Sequence, residues 1–308
     1  MSFSRIAGKL FVICVASIAS FSFAVTLDLS SQQSTRPRAA PVADAIHAIP
    51  SNTRFVDKKA LTVGIVASML PLSAYANDVK TVVGFDPDIA QLLADSLGRR
   101  LDIVAIAWPD WPLALESGRV DAVISNVTVT EQRKEKFDFS TYRQDVLGFY
   151  VKNGSRIKAI NAPADIAGLR IVSDSGTNQE KILLEWDKEN VAHGLRPIQV
   201  QYYDDEAVRA VALQSGRADA LFSVNAVFAY QAAQQKNIHL VGVVNGGWPR
   251  AAEIAVATRK GSGLAEPLTV AINAAIKDGQ YAKVLTRWNL GAEAIERAAT
   301  NPPGLPKM

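Results

Sequence analysis

"LALESGRVDAVIS", Leu113 to Ser125, returns as "VALQSGRADALFS", Val211 to Ser223, with eight of thirteen positions identical across a separation of 98 residues. Each copy reads as a helix stopped at a glycine, then an aspartate leading a short apolar run of strand length. Chance is the alternative among such common residues. The shared Ser-Gly-Arg-x-Asp-Ala core argues instead for two similarly built units. Outward from the first copy, "GFDPDIAQLLADSLG" (84–98) carries its own punctuation. Asp86 can cap the helix, Pro87 fits its first turn, Ile89, Leu92, Leu93 and Leu97 share one face, and Gly98 ends it. Strand-like "LTVGIV" (61–66), "LDIVAIA" (101–107) and "VDAVIS" (120–125) alternate with helical stretches. Such alternation predicts an α/β fold with a mostly parallel sheet covered by helices.

"VLGFYVKNGS" (146–155) reads as a strand leaving the first unit, and "EIAVATRKGS" (253–262) as one returning to it. Two crossings of this kind fit a pair of hinge strands. The length of 308 residues accommodates two domains, and 48% apolar with 20% charged residues is the composition of a globular chain.

The amino terminus is of another kind. Arg5 and Lys9 precede an apolar run from Leu10 to Val25, and Ser22-Phe23-Ala24 offers small residues at a cleavage site. This is the layout of a secretory signal peptide, residues 1–24; an uncleaved anchor is the alternative, for which the run is short of the ~20 apolar residues needed. Residues 25–57, rich in Ser, Gln, Pro, Arg and Ala, read as a flexible leader. Removing two basic and no acidic side chains with residues 1–24 takes the formal charge from +3 to +1. No basic block remains to suit nucleic acid.

Motifs for cofactors or metals are missing. His47, His193 and His239 lack ligand spacing, and the one cysteine, Cys14, lies in the apolar run. No phosphate loop, dinucleotide loop or nucleophile elbow is present, so no metal, cofactor or catalytic residue is expected.

"SNVTVTEQRKEKFDFS" (125–140) follows the first buried strand. Ser125, Asn126 and Thr128 then stand at its carboxyl end, where ligands sit in parallel sheets, and Thr130 can cap the next turn. Arg133 falls in that first turn, where the helix dipole disfavours a cation. A bound carboxylate gripped by its guanidinium fork is one explanation. A solvated arginine partnered by Glu131 or Glu135 is the other, and the stretch alone leaves both open.

Taken together, "LTVGI", "VVGFDPDIAQLLADSLG", "LALESGRVDAVISNVTVTEQRKEKFDFS", "LRIVSDSGTNQE" and "DGQYAKVLTRWNLG" resemble the family 3 extracellular solute-binding proteins, receptors of polar amino-acid ABC importers. The resemblance runs in order over roughly residues 58 to 291. It implies a two-lobed periplasmic-binding-protein fold, type II-like, with two hinge strands. Lobe 1 would comprise 58–148 plus 254–291, lobe 2 149–253, and a C-terminal tail 292–308. It further implies a periplasmic monomer that hands a small carboxylate-bearing ligand to a permease of the inner membrane.

Position by position, the resemblance makes Arg133 the grip on that carboxylate, with Ser125, Asn126 and Thr128 beside it. Trp111 and Met69 fall at ligand-packing positions, for which core packing is the competing reading. Thr177, Asn178 and Gln179 match the second-lobe turn. Where the family usually carries an aspartate for an α-ammonium, this chain has Val224 followed by Asn225, and Val66 replaces an acidic residue of some relatives. Glu253 is the candidate to supply the missing anion. A buried ammonium without a partner is costly, so an organic acid or modified amino acid is expected. Two rivals share the fold: an enzyme resembling cyclohexadienyl dehydratases, with Glu253 as its pocket carboxylate, and a sensory module, which the Pro-rich end after Leu290 disfavours.

Overall fold

The computed structural model describes residues 27–203 and 205–307; the expectations for residues 1–24 and Cys14 lie outside them. Along the chain, α1 (Ala43–His47) precedes β1 (Ala60–Ile65), and a hairpin of β2 (Ala74–Tyr75) and β3 (Val82–Val83) leads into α2 (Phe85–Ser96). Then come β4 (Arg100–Ala105), α3 (Trp111–Glu116), β5 (Ala122–Thr128) and β6 (Phe137–Gln144). A second run holds β7 (Val146–Lys152), β8 (Arg170–Val172), α4 (Asn178–Ala192), β9 (Gln199–Gln201), α5 (Glu206–Gln214), β10 (Ala220–Val224), α6 (Asn225–Gln235) and β11 (Ile238–Asn245). The chain returns through β12 (Glu253–Arg259), α7 (Ala265–Lys277) and α8 (Gln280–Arg287).

Two five-stranded sheets result, ordered β4-β1-β5-β12-β6 and β11-β7-β10-β8-β9, one in each lobe of an α/β fold. In each, three strands run parallel (β4-β1-β5 and β10-β8-β9), and the strands that flank the crossings pair antiparallel. The outward crossing is at Asp145, three residues before the expected boundary at 148; the return spans 246–252. The Asp145 N–H donates to the Ala252 carbonyl at 2.9 Å and the Gly246 N–H to the Asp145 carbonyl at 3.0 Å, which ties the two crossings together.

The echoed segments build the same unit twice. Gly118 (φ 74°) and Gly216 (φ 77°) end α3 and α5 in the left-handed conformation that glycine adopts without a steric penalty. Each following aspartate then fastens the neighbouring strand. Asp121 accepts the Thr62 N–H at 2.8 Å, and Asp219 accepts the Arg170 N–H at 2.8 Å.

Two expectations need correction. Helix α2 begins at Phe85, with Gly84 before it at φ 142°, where a Cβ would lie 2.3 Å from the Leu72 carbonyl oxygen. Asp86 is therefore inside the helix and buried, accepting the Tyr142 hydroxyl at 3.0 Å, and does not cap. The leader is also not free chain over its described part. Leu27, Ala39, Val42, Ile49 and Phe55 pack on the first lobe's core. Arg36 pairs with Asp88 at 2.7 Å, and the Arg38 fork binds Asp95 at 2.6 and 2.7 Å. Only the five-residue α1 in it is helical, too short to print a period, and its other apolar residues fill separate gaps along the chain.

Candidate functional site

A cavity of about 740 Å³ lies between the lobes, at the carboxyl ends of the parallel strands. This is where open α/β sheets leave a crevice, because helices cover the faces and the loops after the strands diverge. Ser125, Asn126, Thr128, Arg133 and Met69 line it from the first lobe, and Thr177, Asn178 and Gln179 from the second.

Arg133 starts a short 3-10 turn whose cap position is Gln132, not Thr130 as expected; Thr130 Oγ1 still accepts the Arg133 N–H at 3.1 Å. One guanidinium nitrogen donates to the Thr128 carbonyl at 2.9 Å, and the group lies 5.6 Å from the ring centres of both Trp108 and Trp111. Burial pushes its pKa down to about 10, with the nearby Asp145 charge opposing that shift. Glu131 instead pairs with Lys134 at 3.1 Å and Glu135 with Lys307, so the local-partner reading of Arg133 does not hold. Among the described residues Arg133 makes no ion pair. It is a desolvated cation with donors left over.

The polar residues around it are largely held by the protein. Ser125 Oγ accepts the Val66 N–H at 2.8 Å and donates to the Ile124 carbonyl at 2.7 Å, joining β5 to the end of β1. Asn126 has φ 52°, a left-handed conformation that asparagine tolerates better than most residues. Its side-chain oxygen accepts from Arg143, which in turn pairs with Glu293. Thr128 Oγ1 donates to Asp145 Oδ2 at 3.4 Å. A buried polar network thus runs from the cavity wall into the outward crossing.

Three expected site residues are elsewhere. Trp111 is 4% exposed and packs on Phe137 with ring centres 4.7 Å apart; it opens α3, and that helix turns the indole into the core. Trp108, three residues earlier, lines the cavity instead. Asn225 accepts the Tyr150 hydroxyl at 2.8 Å and does not line the cavity. Glu253 opens β12 opposite Gln144, half-buried, its carboxyl pushed up by burial, and it too lies outside the lining. On a strand flanked by partners on both sides, its side chain follows the pleat and not the cleft.

The sequence reading missed a second polar group. Arg209 donates to Asp174 Oδ1 at 2.6 Å, and Ser223 Oγ donates to Asp174 Oδ2 at 2.9 Å, all three lining the cavity. Asp174 stands in the polar turn "SDSGT" and was within reach, but Arg209 is 35 residues away and nothing local marks it. Asp86 also lines the cavity, and burial raises its carboxyl to about 6 against the opposing Arg143 charge and Tyr142 hydroxyl. Val224, Val227, Leu72 and Met69 contribute an apolar wall that joins core from both lobes. Among the described residues no group of three or more His, Cys, Asp or Glu side chains can hold a metal, and no helix is long and apolar enough to cross a membrane.

The chain is 32% identical over 245 residues to the L-cystine-binding protein TcyJ of Escherichia coli (strain K12), covering 78% of this chain and 86% of that protein. It is 28% identical over 212 residues to the ABC transporter glutamine-binding protein GlnH of Bacillus subtilis (strain 168), covering 67% and 72%. Among solved structures, an ancestral arginine-binding protein bound to arginine matches with TM-score 0.66 and 29% identity, over 75% of this chain and 98% of that one. An ancestral amino-acid-binding protein described as a precursor of cyclohexadienyl dehydratase matches with TM-score 0.63 and 28% identity, over 75% and 95%. The two sheets, the double crossing and the cleft are accounted for by a family model that matches residues 61–291: the chain belongs to the bacterial extracellular solute-binding proteins, family 3.

Proposed function

We propose that this protein is the periplasmic receptor of an ABC importer and captures a small carboxylate-bearing ligand between its lobes. The observation that carries the reading is the Arg133 guanidinium, desolvated in the inter-lobe cavity with no carboxylate of its own. Each charge-assisted hydrogen bond from it to a ligand carboxylate contributes ~1.5–3 kcal/mol. The second lobe adds Thr177 and the first residues of α4, Asn178 and Gln179, so a ligand touching both lobes favours closure by its differential affinity. Lys181 of α4 already reaches across to Gln132 at 3.1 Å, beside Arg133. The closed form then docks on its permease as a monomer. Names such as L-cystine-, glutamine- and arginine-binding protein among the similar proteins support an amino-acid-like ligand.

The cavity chemistry narrows that class. Of its carboxylates, Asp86 is held by Tyr142, Asp174 by Arg209 and Ser223, and Glu206 by Gln231. Val224 adds only apolar surface. Only Asp174 is charge-paired, while Asp86 and Glu206 meet neutral donors, so the preference for an organic acid or a modified amino acid rests on Val224 standing where the family usually carries the aspartate for an α-ammonium. Isothermal titration with cystine, glutamine, arginine and their hydroxy-acid analogues tests both statements. Tight binding of several standard amino acids overturns the ligand chemistry, and no binding of any carboxylate overturns the receptor reading.

A second reading has two observations in its favour: the likeness to an ancestral amino-acid-binding protein described as a precursor of cyclohexadienyl dehydratase, and Asp86 in the cavity. Glu253, first considered for that chemistry, lies outside the lining. Ultraviolet absorbance of prephenate or arogenate incubated with the protein decides it, and a turnover signal replaces the receptor reading.

A further inference from the structure

The family model ends at residue 291, yet the ordered chain continues and returns to the arginine turn. Past Glu293, whose carboxylate holds Arg143, the chain runs beside β6. There the Thr141 N–H donates to the Ala299 carbonyl at 3.1 Å and the Asn301 N–H to the Phe139 carbonyl at 2.9 Å. It then brackets Thr130. The Leu305 N–H donates to the Val129 carbonyl at 3.0 Å, and the Glu131 N–H donates to the Leu305 carbonyl at 2.8 Å. Three further contacts pin the same turn: the Gly304 N–H on Glu131 Oε1 at 2.6 Å, Lys134 Nζ on the Pro302 carbonyl at 2.9 Å, and Lys307 on Glu135.

This segment fits its place closely. A Cβ at Gly304 would lie 2.7 Å from the Thr130 carbonyl carbon and 2.8 Å from the Glu131 nitrogen, both backbone atoms with little room to give. Leu305 is 5% exposed, and its Cδ2 would lie 2.4 Å from a Cβ placed on Gly247, in the return crossing between the lobes. Leu305 thus meets the turn that carries Arg133 through its backbone and, through its side chain, the segment that must adjust when the lobes move.

We infer that residues 302–307 are a positioning strap for ligand capture, with Gly304 and Leu305 as positioning residues that fix the Arg133 turn against the return crossing. A turn that follows a strand end has free backbone donors and acceptors and aims its side chains loosely, whereas a turn paired with an added extended segment holds them in one geometry. A misplacement of about 1 Å is enough to cost a bidentate grip much of its strength. The function of the strap rests on the reading of Arg133 as the carboxylate anchor.

Hydrogen–deuterium exchange on the full chain, unmodified and as Gly304→Ala, Leu305→Ala and Leu305→Met, reads the strap without any ligand. In the first two variants, peptides covering 129–135 exchange about ten-fold faster or more, while β1 and β10 keep their protection. The volume-conserving Leu305→Met behaves as the unmodified protein. Titration with the hydroxy-acid analogue of glutamine, the ligand class proposed above, forms the second arm, in which Leu305→Ala weakens binding several-fold. If the unmodified protein does not take that analogue, that bears on the ligand reading alone, and the exchange arm still decides. Unchanged exchange at 129–135, or protection lost across both sheets together, overturns the strap.

Discussion

Replacing Arg133 by alanine removes the guanidinium and leaves the cavity otherwise intact. The side chain spends one donor on the Thr128 carbonyl at 2.9 Å and has the rest of its fork available. Two charge-assisted bonds to a carboxylate, at ~1.5–3 kcal/mol each, give a gross ~3–6 kcal/mol. After the ordering of ligand and side chain, ~2–5 kcal/mol is the expected net loss, typical of truncating one partner of a buried charge pair. At about ten-fold per 1.4 kcal/mol, the dissociation constant rises roughly 30- to 4,000-fold. Fold stability responds differently. Alanine loses the Thr128 contact and the indole faces of Trp108 and Trp111, each 5.6 Å from the guanidinium, but also abolishes the desolvation that lowers the arginine's pKa to about 10. These oppose, so unfolding free energy changes by no more than ~1 kcal/mol. Arg133→Lys keeps the charge without the fork and falls between the two, roughly 10- to 100-fold weaker. Calorimetry on each variant, with thermal melts alongside, measures both quantities. An Arg133→Ala dissociation constant within threefold of the unmodified protein refutes the reasoning.

Val224→Asp puts a carboxylate into the apolar wall and should raise affinity for an α-amino acid over its hydroxy-acid analogue at least ten-fold (~1.4 kcal/mol); an unchanged ratio in competition titrations counts against the ligand chemistry. Asp86 ionises near pH 6 in the fold against 3.8 unfolded, so its burial costs nothing below about pH 4 and progressively more as pH rises to 6. Asp86→Asn should therefore raise the melting temperature more at pH 7.5 than at pH 4.5, and an equal shift at both would contradict the assignment. Glu293→Ala strands the buried Arg143 and should destabilise by ~3–5 kcal/mol in denaturant melts, while replacing both residues by methionine costs less.

The parts of the fold written in local order were legible. Ile89, Leu92, Leu93 and Leu97 announced α2, and the Gly118 and Gly216 stops marked the echoed units, because periodicity and left-handed turns depend on neighbours in sequence. Arg133 was legible as a cation in an awkward place. What sequence could not supply was direction. Trp108 and Trp111 are three apart, and only the 3-10 turn before α3 decides which indole faces the cavity. Glu253 and Asn225 stood at strand and helix ends near the cleft, yet their side chains answer to Gln144's strand and to Tyr150. The Asp174–Arg209 pair, the packed leader and the returning C-terminal segment are products of long-range contact, which leaves no period behind.

A crystal structure of the protein purified mildly enough to keep its ligand tests the central claim most directly. The account predicts a ligand carboxylate with its oxygens ~2.7–2.9 Å from the Arg133 guanidinium and contacts to both lobes. A ligand whose acid group lies elsewhere, or an Arg133 side chain swung out into bulk water, would contradict it.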